Sequence, residues 1–290
     1  MKRERGRRER AIDEALHACA TDVEQTRAWQ WRATLANGTR FAVDARAEGE
    51  WLSLSAPAGE APGDCLGLLR LNHRLDAASR IALSLDAWSL ELRSEVPLAD
   101  GVNLPGRIRE ACTGLARASK RLRSGSKCRR DGGCEEQPAR DRRPASMFAD
   151  TCREAGWSFA EHRAGALAIE LDVADSCHHA MLEPDDHSIA LSVEIGCWDA
   201  ASAATCDAVG VLMLSACHAL RFARAAATDD GVLTTWFEVM FGEAPGAREL
   251  DEALRALSTA CRLYAREAAI LRDEAIAIRF LDATRQRTHV

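Results

Sequence analysis

Apolar residues recur along this chain at helical spacing, then at alternate positions, then at helical spacing again, and the cycle runs twice. Near the start, Ile12, Leu16, Cys19 and Val23 are separated by four, three and four residues, the stripe of an amphipathic helix, which predicts a helix over residues 9–27. Trp29, Trp31 and Ala33 then alternate, as do Phe41, Val43 and Ala45, with Asn37-Gly38 between them as a tight-turn signal. Leu52 and Leu54 form a third strand, and the Pro- and Gly-containing run 56–63 reads as a loop. Asp64 is placed to cap a helix through Leu66, Leu69 and Leu75. A hairpin follows, with Ile81, Leu83 and Leu85 on one arm, Asp86-Ala87 at the turn, and Trp88, Leu90 and Leu92 on the other. Beyond Pro105, a helix carries Ile108, Cys112, Leu115 and Leu122.

The second cycle keeps that order. A short helix over 148–155 precedes strands holding Trp157 and Phe159, then Leu167, Ile169 and Leu171, then Ile189, Leu191, Val193 and Ile195. A helix over 202–220 is rich in aliphatic residues, and a hairpin turns at Asp229-Asp230-Gly231 and returns through Leu233, Thr235, Phe237, Val239 and Phe241. One long final helix bears Leu250, Leu254, Leu257, Cys261, Tyr264, Ala268 and Leu271. Two residue pairings join the cycles: His73-Arg74-Leu75 lies over His218-Ala219-Leu220, and Glu95-Val96 over Glu238-Val239. This repetition predicts an α+β protein of two tandem domains, each helix, three strands, helix, two strands, helix around an antiparallel sheet.

Between the cycles, residues 123–144 contain no aliphatic side chain larger than alanine and no aromatic one, and are dense in Gly, Pro and charge, so they cannot build a core and read as a linker. The expected division is domain 1 over 1–122, a basic flexible linker over 123–144 and domain 2 over 145–290. The net charge of −6 is uneven: residues 1–10 hold six basic and two acidic residues, and residues 117–143 hold ten basic and four acidic. No apolar run approaches the roughly 20 residues needed to cross a bilayer, and the basic N-terminus has no apolar stretch behind it. Eleven cysteines, odd in number and mostly in apolar settings, read as buried thiols of a reducing compartment. These features predict a cytoplasmic protein without stable membrane insertion.

Helix, three strands, helix, two strands, helix is also the order of class I type III secretion chaperones and the related YbjN-like proteins. The stretch from Leu68 to Leu75, containing Leu71-Asn72, and the hairpin from Ile81 to Leu98, ending Glu95-Val96-Pro97-Leu98, resemble that family's "LN" helix end and "L-x-x-E-x-P-L" hairpin. The resemblance is clearest in sequence over residues 64–122. It implies a non-enzymatic chaperone that holds an extended segment of a secreted protein or of a secretion-machinery component, in a bacterial secretion or virulence setting. It implies partner binding over apolar patches beside the first helix and sheet, here Trp29, Trp31, Phe41, Val43, Leu52 and Leu54. It further implies pairing of domains through the central helices, here Leu68, Leu69 and Leu71 with Leu212, Met213 and Leu214, as an internal pseudo-dimer or a homodimer.

Other chemistry has less behind it. Cys177, His178, His179, Glu183, Asp185, Asp186 and His187 are metal-ligand types, but adjacent histidines on a strand point to opposite faces, and Pro184-Asp185-Asp186 reads as a polar turn. A metal-dependent enzyme at Cys177–His187 and a structural or regulatory adaptor are the alternatives to a chaperone. Cys128 and Cys134 have no further ligands in the linker, and the arginine-rich tracts lack interleaved aromatics, so neither a metal nor nucleic acid is expected. His73 and His218 sit where a histidine caps a helix end. There is no Gly-x-Ser-x-Gly, Gly-x-x-x-x-Gly-Lys or Gly-x-Gly-x-x-Gly motif, so neither a cofactor nor a catalytic residue is expected.

Overall fold

The computed structural model describes residues 2–287 except 36–40, 49, 61–63, 76–78, 99–102, 124–147, 163–165, 174–175, 185–188, 199–200, 230–232 and 242–244, with the backbone alone at 2–5, 41, 176, 184, 229 and 287. The first half runs α1 (Lys2–His17), β1 (Ala20–Arg27), β2 (Gln30–Leu35), β3 (Phe41–Glu48), β4 (Trp51–Glu60), α2 (Cys65–His73), β5 (Arg80–Ser84), β6 (Ser89–Pro97) and α3 (Leu104–Arg123). The second runs α4 (Ala149–Ala155), β7 (Phe159–Glu161), β8 (Leu167–Val173), β9 (Ser176–Pro184), β10 (Ile189–Trp198), α5 (Ala203–Ala219), β11 (Arg224–Asp229), β12 (Leu233–Phe241), α6 (Ala247–Ile270) and α7 (Glu274–Arg287).

Each half is built on a six-stranded antiparallel sheet, ordered β1-β2-β3-β4-β6-β5 in the first and β7-β8-β9-β10-β12-β11 in the second. The two orders are the same when the strands are matched in sequence, so the fold is α+β and internally repeated. One face of each sheet is apolar and lies under helices: α3 packs on β4 and β6, while α1 packs on β1 and α3. In the second half α6 packs on β8, β10 and β12, and α4 packs on α6. The alternation follows the pleat: in β2 Trp31, Ala33 and Leu35 are buried, and in β8 Leu167, Ile169, Leu171 and Val173 are buried.

Several expectations change. The stripe through Val23 does not continue as a helix: α1 ends at His17, and residues 20–27 form an edge strand with Val23 opposite Ala33. Thr21, Val23 and Thr26 are β-branched, and pairing with β2 outweighs a helical spacing that rested on one residue in this stretch. Each half therefore has four strands before its central helix, where the pattern predicted three. In the second half the extra strand is β9, whose apolar alternation is interrupted by His178 and His179. The expected loop 56–63 is strand as far as Glu60. Pro57 fits there because pairing with β3 runs only to Ser55, and a register shift before Gly59, at φ 117°, absorbs the irregularity. The expected long helix from Leu250 to Leu271 is α6, but an unforeseen helix follows it: Asp273 Oδ1 accepts from the N–H groups of Ala275 and Ile276 at 2.9 and 3.2 Å, capping α7, which turns back onto α5. Trp88, expected on a strand, is half-buried in the hairpin turn at φ 44°. Of the proposed linker only Arg123, the last residue of α3, is among the described residues. No described helix is long and apolar enough to cross a membrane.

Candidate functional site at the seam of the two halves

The two halves meet through their central helices. α2 packs on α5 and on β11 of the other half, and α5 reciprocally packs on β5. Asp64 Oδ1 starts α2 by accepting from Gly67 N at 2.7 Å, and Ser202 Oγ starts α5 by accepting from Thr205 N at 3.2 Å. α5 is apolar nearly all round because it is enclosed on all sides, with Val209 to Leu214 buried. The helices pack closely where Gly210 faces Cys65: a Cβ at Gly210 would lie 2.9 Å from Cys65 Cβ and 3.2 Å from the Leu66 nitrogen. Only glycine permits this approach. The residues expected to pair the halves lie on these helices. Leu69, Met213 and Leu214 are fully buried, Leu68 and Leu212 nearly so, and Leu71 is half-buried.

A buried polar network locks the seam. Asn72, at the end of α2, accepts from Ile81 N at 2.7 Å and donates to Ile81 O at 3.0 Å within its own half and to Ala225 O at 3.1 Å across the seam. Its counterpart in α5 is Cys217, whose sulfur accepts from Ala225 N at 3.0 Å. Burial pushes the Cys217 thiol up to about 11, so it stays neutral. Beside these residues, Arg80 pairs with Glu95 and donates to Cys217 O at 2.7 Å and Leu220 O at 2.9 Å at the end of α5. Arg224 Nε pairs with Glu238 Oε1 at 2.7 Å, and its Nη1 donates to Leu75 O at 3.1 Å and Ser79 O at 3.0 Å, just past the end of α2. Each half thus sends an arginine to backbone carbonyls at or beyond the end of the other half's central helix: Arg80 reaches Cys217 O in the last turn of α5, where a cation complements the helix dipole, and Arg224 reaches Leu75 O, two residues past α2. Burial alone would raise the Glu238 carboxyl, but the Arg224 charge and hydrogen bonds from His73, Trp236 and Arg224 hold it below the usual carboxylate range.

The sequence overlay is partly right here. His73 and His218 are equivalent, as are Leu75 and Leu220, whose carbonyls each receive an arginine. Glu95 and Glu238 serve the same purpose from different registers: Glu238 lies directly opposite Arg224, whereas Arg93 lies opposite Arg80 and Glu95 reaches it from two residues further along. Arg80 and Arg224 carry no sign of burial in the sequence, since each precedes an apolar strand as any flanking charge does. The histidines reach across the seam. The His73 ring stands edge-on to Trp236, centroids 5.0 Å apart, with Nδ1 3.9 Å from Glu238, and His218 Nε2 lies 3.6 Å from Glu91. Burial, then the nearby Arg93 charge, pushes the His218 imidazole below its ordinary value.

The residues expected to bind a partner are mostly not on a free surface. Trp31, Val43, Leu52 and Leu54 are core, on the helix-covered face of the first sheet, and Trp31 Nε1 donates to Asp13 of α1 at 3.1 Å. Strand parity explains the error: the apolar positions are the ones the helices cover. Trp29 is half-buried in the β1–β2 turn at φ 65°, and the Phe41 side chain lies outside the described residues. In the cysteine and histidine segment, Cys177 is exposed, its thiol 3.4 Å from Glu170 Oε1, while Asp185, Asp186 and His187 lie outside the described residues, as do Cys128 and Cys134. His178 and His179 fall opposite Leu171 and Glu170, on opposite faces of the sheet. Among the described residues no three His, Cys, Asp or Glu side chains group closely enough to hold a metal. No protein-family model matches the chain, and no curated protein matches it in sequence.

Proposed function

We propose that the chain is a cytoplasmic, non-enzymatic protein-binding chaperone that holds an extended segment of a secreted protein or of a type III secretion component. The observation that supports this reading is the reciprocal pairing of two halves with one element order, α2 on β11 and α5 on β5, with an arginine from each half at the end of the other's helix. The resemblance to class I secretion chaperones implies pairing through the same central helix and nearby strands, there between two chains. A binding role needs only surface, because an ordered partner supplies contacts to exposed sheet and helix faces. The test is isolation of the tagged protein from its native host under secretion-inducing conditions, followed by reconstitution with the purified N-terminal segment of what it carries. A defined complex with a secreted protein is the expected result, and isolation free of any partner under those conditions overturns it.

A further inference from the structure

The uncovered faces of the two sheets are built differently, although strand register makes them equivalent. In the first half a row across the open face reads Arg32, Asp44, Ser55 and Arg93. Arg32 Nε meets Asp44 at 3.0 Å, so the charges are paired as on an ordinary solvated sheet. The equivalent row in the second half reads Ala168, Met181 and Ser192 and ends at Glu238, which is buried at the seam. Met240 lies opposite Ala190 in the next row, and Trp236 follows on β12. Met181, Met240 and Trp236 are half-buried, and the His73 ring at the end of α2 packs against Trp236 and walls this face on one side. Around them stand Glu170, Glu183 and Glu194, all exposed, and among the described residues none of the three is in an ion pair. Among the described residues, the Glu170 and Glu194 side chains accept only from the thiols of Cys177 and Cys197, at 3.4 and 3.2 Å. The surrounding charge has the same sign: residues 148–290 hold 12 basic and 23 acidic residues, a net −11, whereas residues 1–123 hold 20 basic and 17 acidic, a net +3.

We propose that the open face of the second sheet binds a cationic, apolar segment of a partner protein, its apolar side chains on Met181, Met240 and Trp236 and its cations on Glu170, Glu183 and Glu194. The proposal rests on the protein-binding reading above and specifies the chemistry of what is bound. Charge complementarity selects the occupant: exposed carboxylates around an apolar floor repel an acidic segment and leave a neutral one without partners for its rim. Methionine suits such a floor because its unbranched, polarisable side chain adapts to more than one apolar shape.

The probes are two synthetic peptides, one alternating arginine with leucine and one alternating glutamate with leucine, titrated calorimetrically into the full chain. The variants are Glu170→Gln with Glu194→Gln, Met181→Ser with Met240→Ser, and a control pair on the outer helices, Glu267→Gln with Asp282→Asn. The arginine peptide is expected to bind and the glutamate peptide not, with each face variant weakening binding by roughly tenfold and the control pair leaving it unchanged. No binding of the arginine peptide, or equal weakening by the control pair, overturns the proposal. The glutamine substitutions are on exposed positions and keep the result decisive if the serine variant does not fold. Isolation from the host separates the two readings. A secreted partner recovered equally by wild type and by the glutamine variant leaves the chaperone role standing and removes this face from it. Face-dependent peptide binding by a chain that carries no secreted partner keeps the face and removes the secretion role.

Discussion

At the residue scale, the seam depends on charges that have no water to fall back on. Glu238 is buried against Arg224, and removing one member of such a pair leaves the other uncompensated. Glu238→Gln is therefore expected to destabilise the chain by about 3 kcal/mol in a chemical denaturation experiment, while Arg224→Met with Glu238→Leu recovers much of the loss. The pH dependence has a definite sign. Glu238 and His218 both have folded-state affinities for protons below their ordinary ones, so the unfolded chain takes up protons first and acid favours unfolding. Stability is expected to fall as pH drops below the ordinary histidine value of 6.5, and again below the ordinary glutamate value of 4.5. Thermal melts across that range check this: His218→Gln removes the upper step and Glu238→Gln the lower.

At the element scale, the helix crossing is the sensitive point. A methyl group at Gly210 must displace the backbone of α2 at Cys65 and Leu66, not the tip of a flexible side chain. Gly210→Ala is expected to cost roughly 1–3 kcal/mol in denaturation, as overpacking does in a core. Asp64→Ala, which removes only the cap of α2, is expected to cost about 1 kcal/mol. Elements with a continuous apolar period were legible in the sequence: α2 with its Asp64 cap, the β5–β6 hairpin, α3 and α5 all lie close to where the pattern puts them. β1 and β9 were not, because an edge strand with exposed side chains and a strand interrupted by two histidines lack the alternation that betrays a half-buried strand. The candidate surface was harder still. Trp31, Val43, Leu52 and Leu54 stand out because they are apolar, and they are apolar because helices cover them. The Met181 and Met240 floor hides among polar neighbours.

At the scale of the whole molecule, the two halves complete one another. Expressed alone, residues 1–123 leave the buried face of α2 without β11 and α5, and residues 148–290 leave α5 without β5. Each is expected to aggregate or remain incompletely folded, and co-expression is expected to restore a soluble one-to-one complex, read by size exclusion with light scattering. The intact chain is expected at its monomer mass of 31.6 kDa, since the seam is already filled from within. Joining both copies in one chain has a further effect. In a dimer of identical subunits every substitution is made twice, and the assembly looks the same from either end. Here Glu91 occupies in one half the strand position that Trp236 occupies in the other. The molecule therefore has a left and a right, and any segment lying across both faces meets them in one order only.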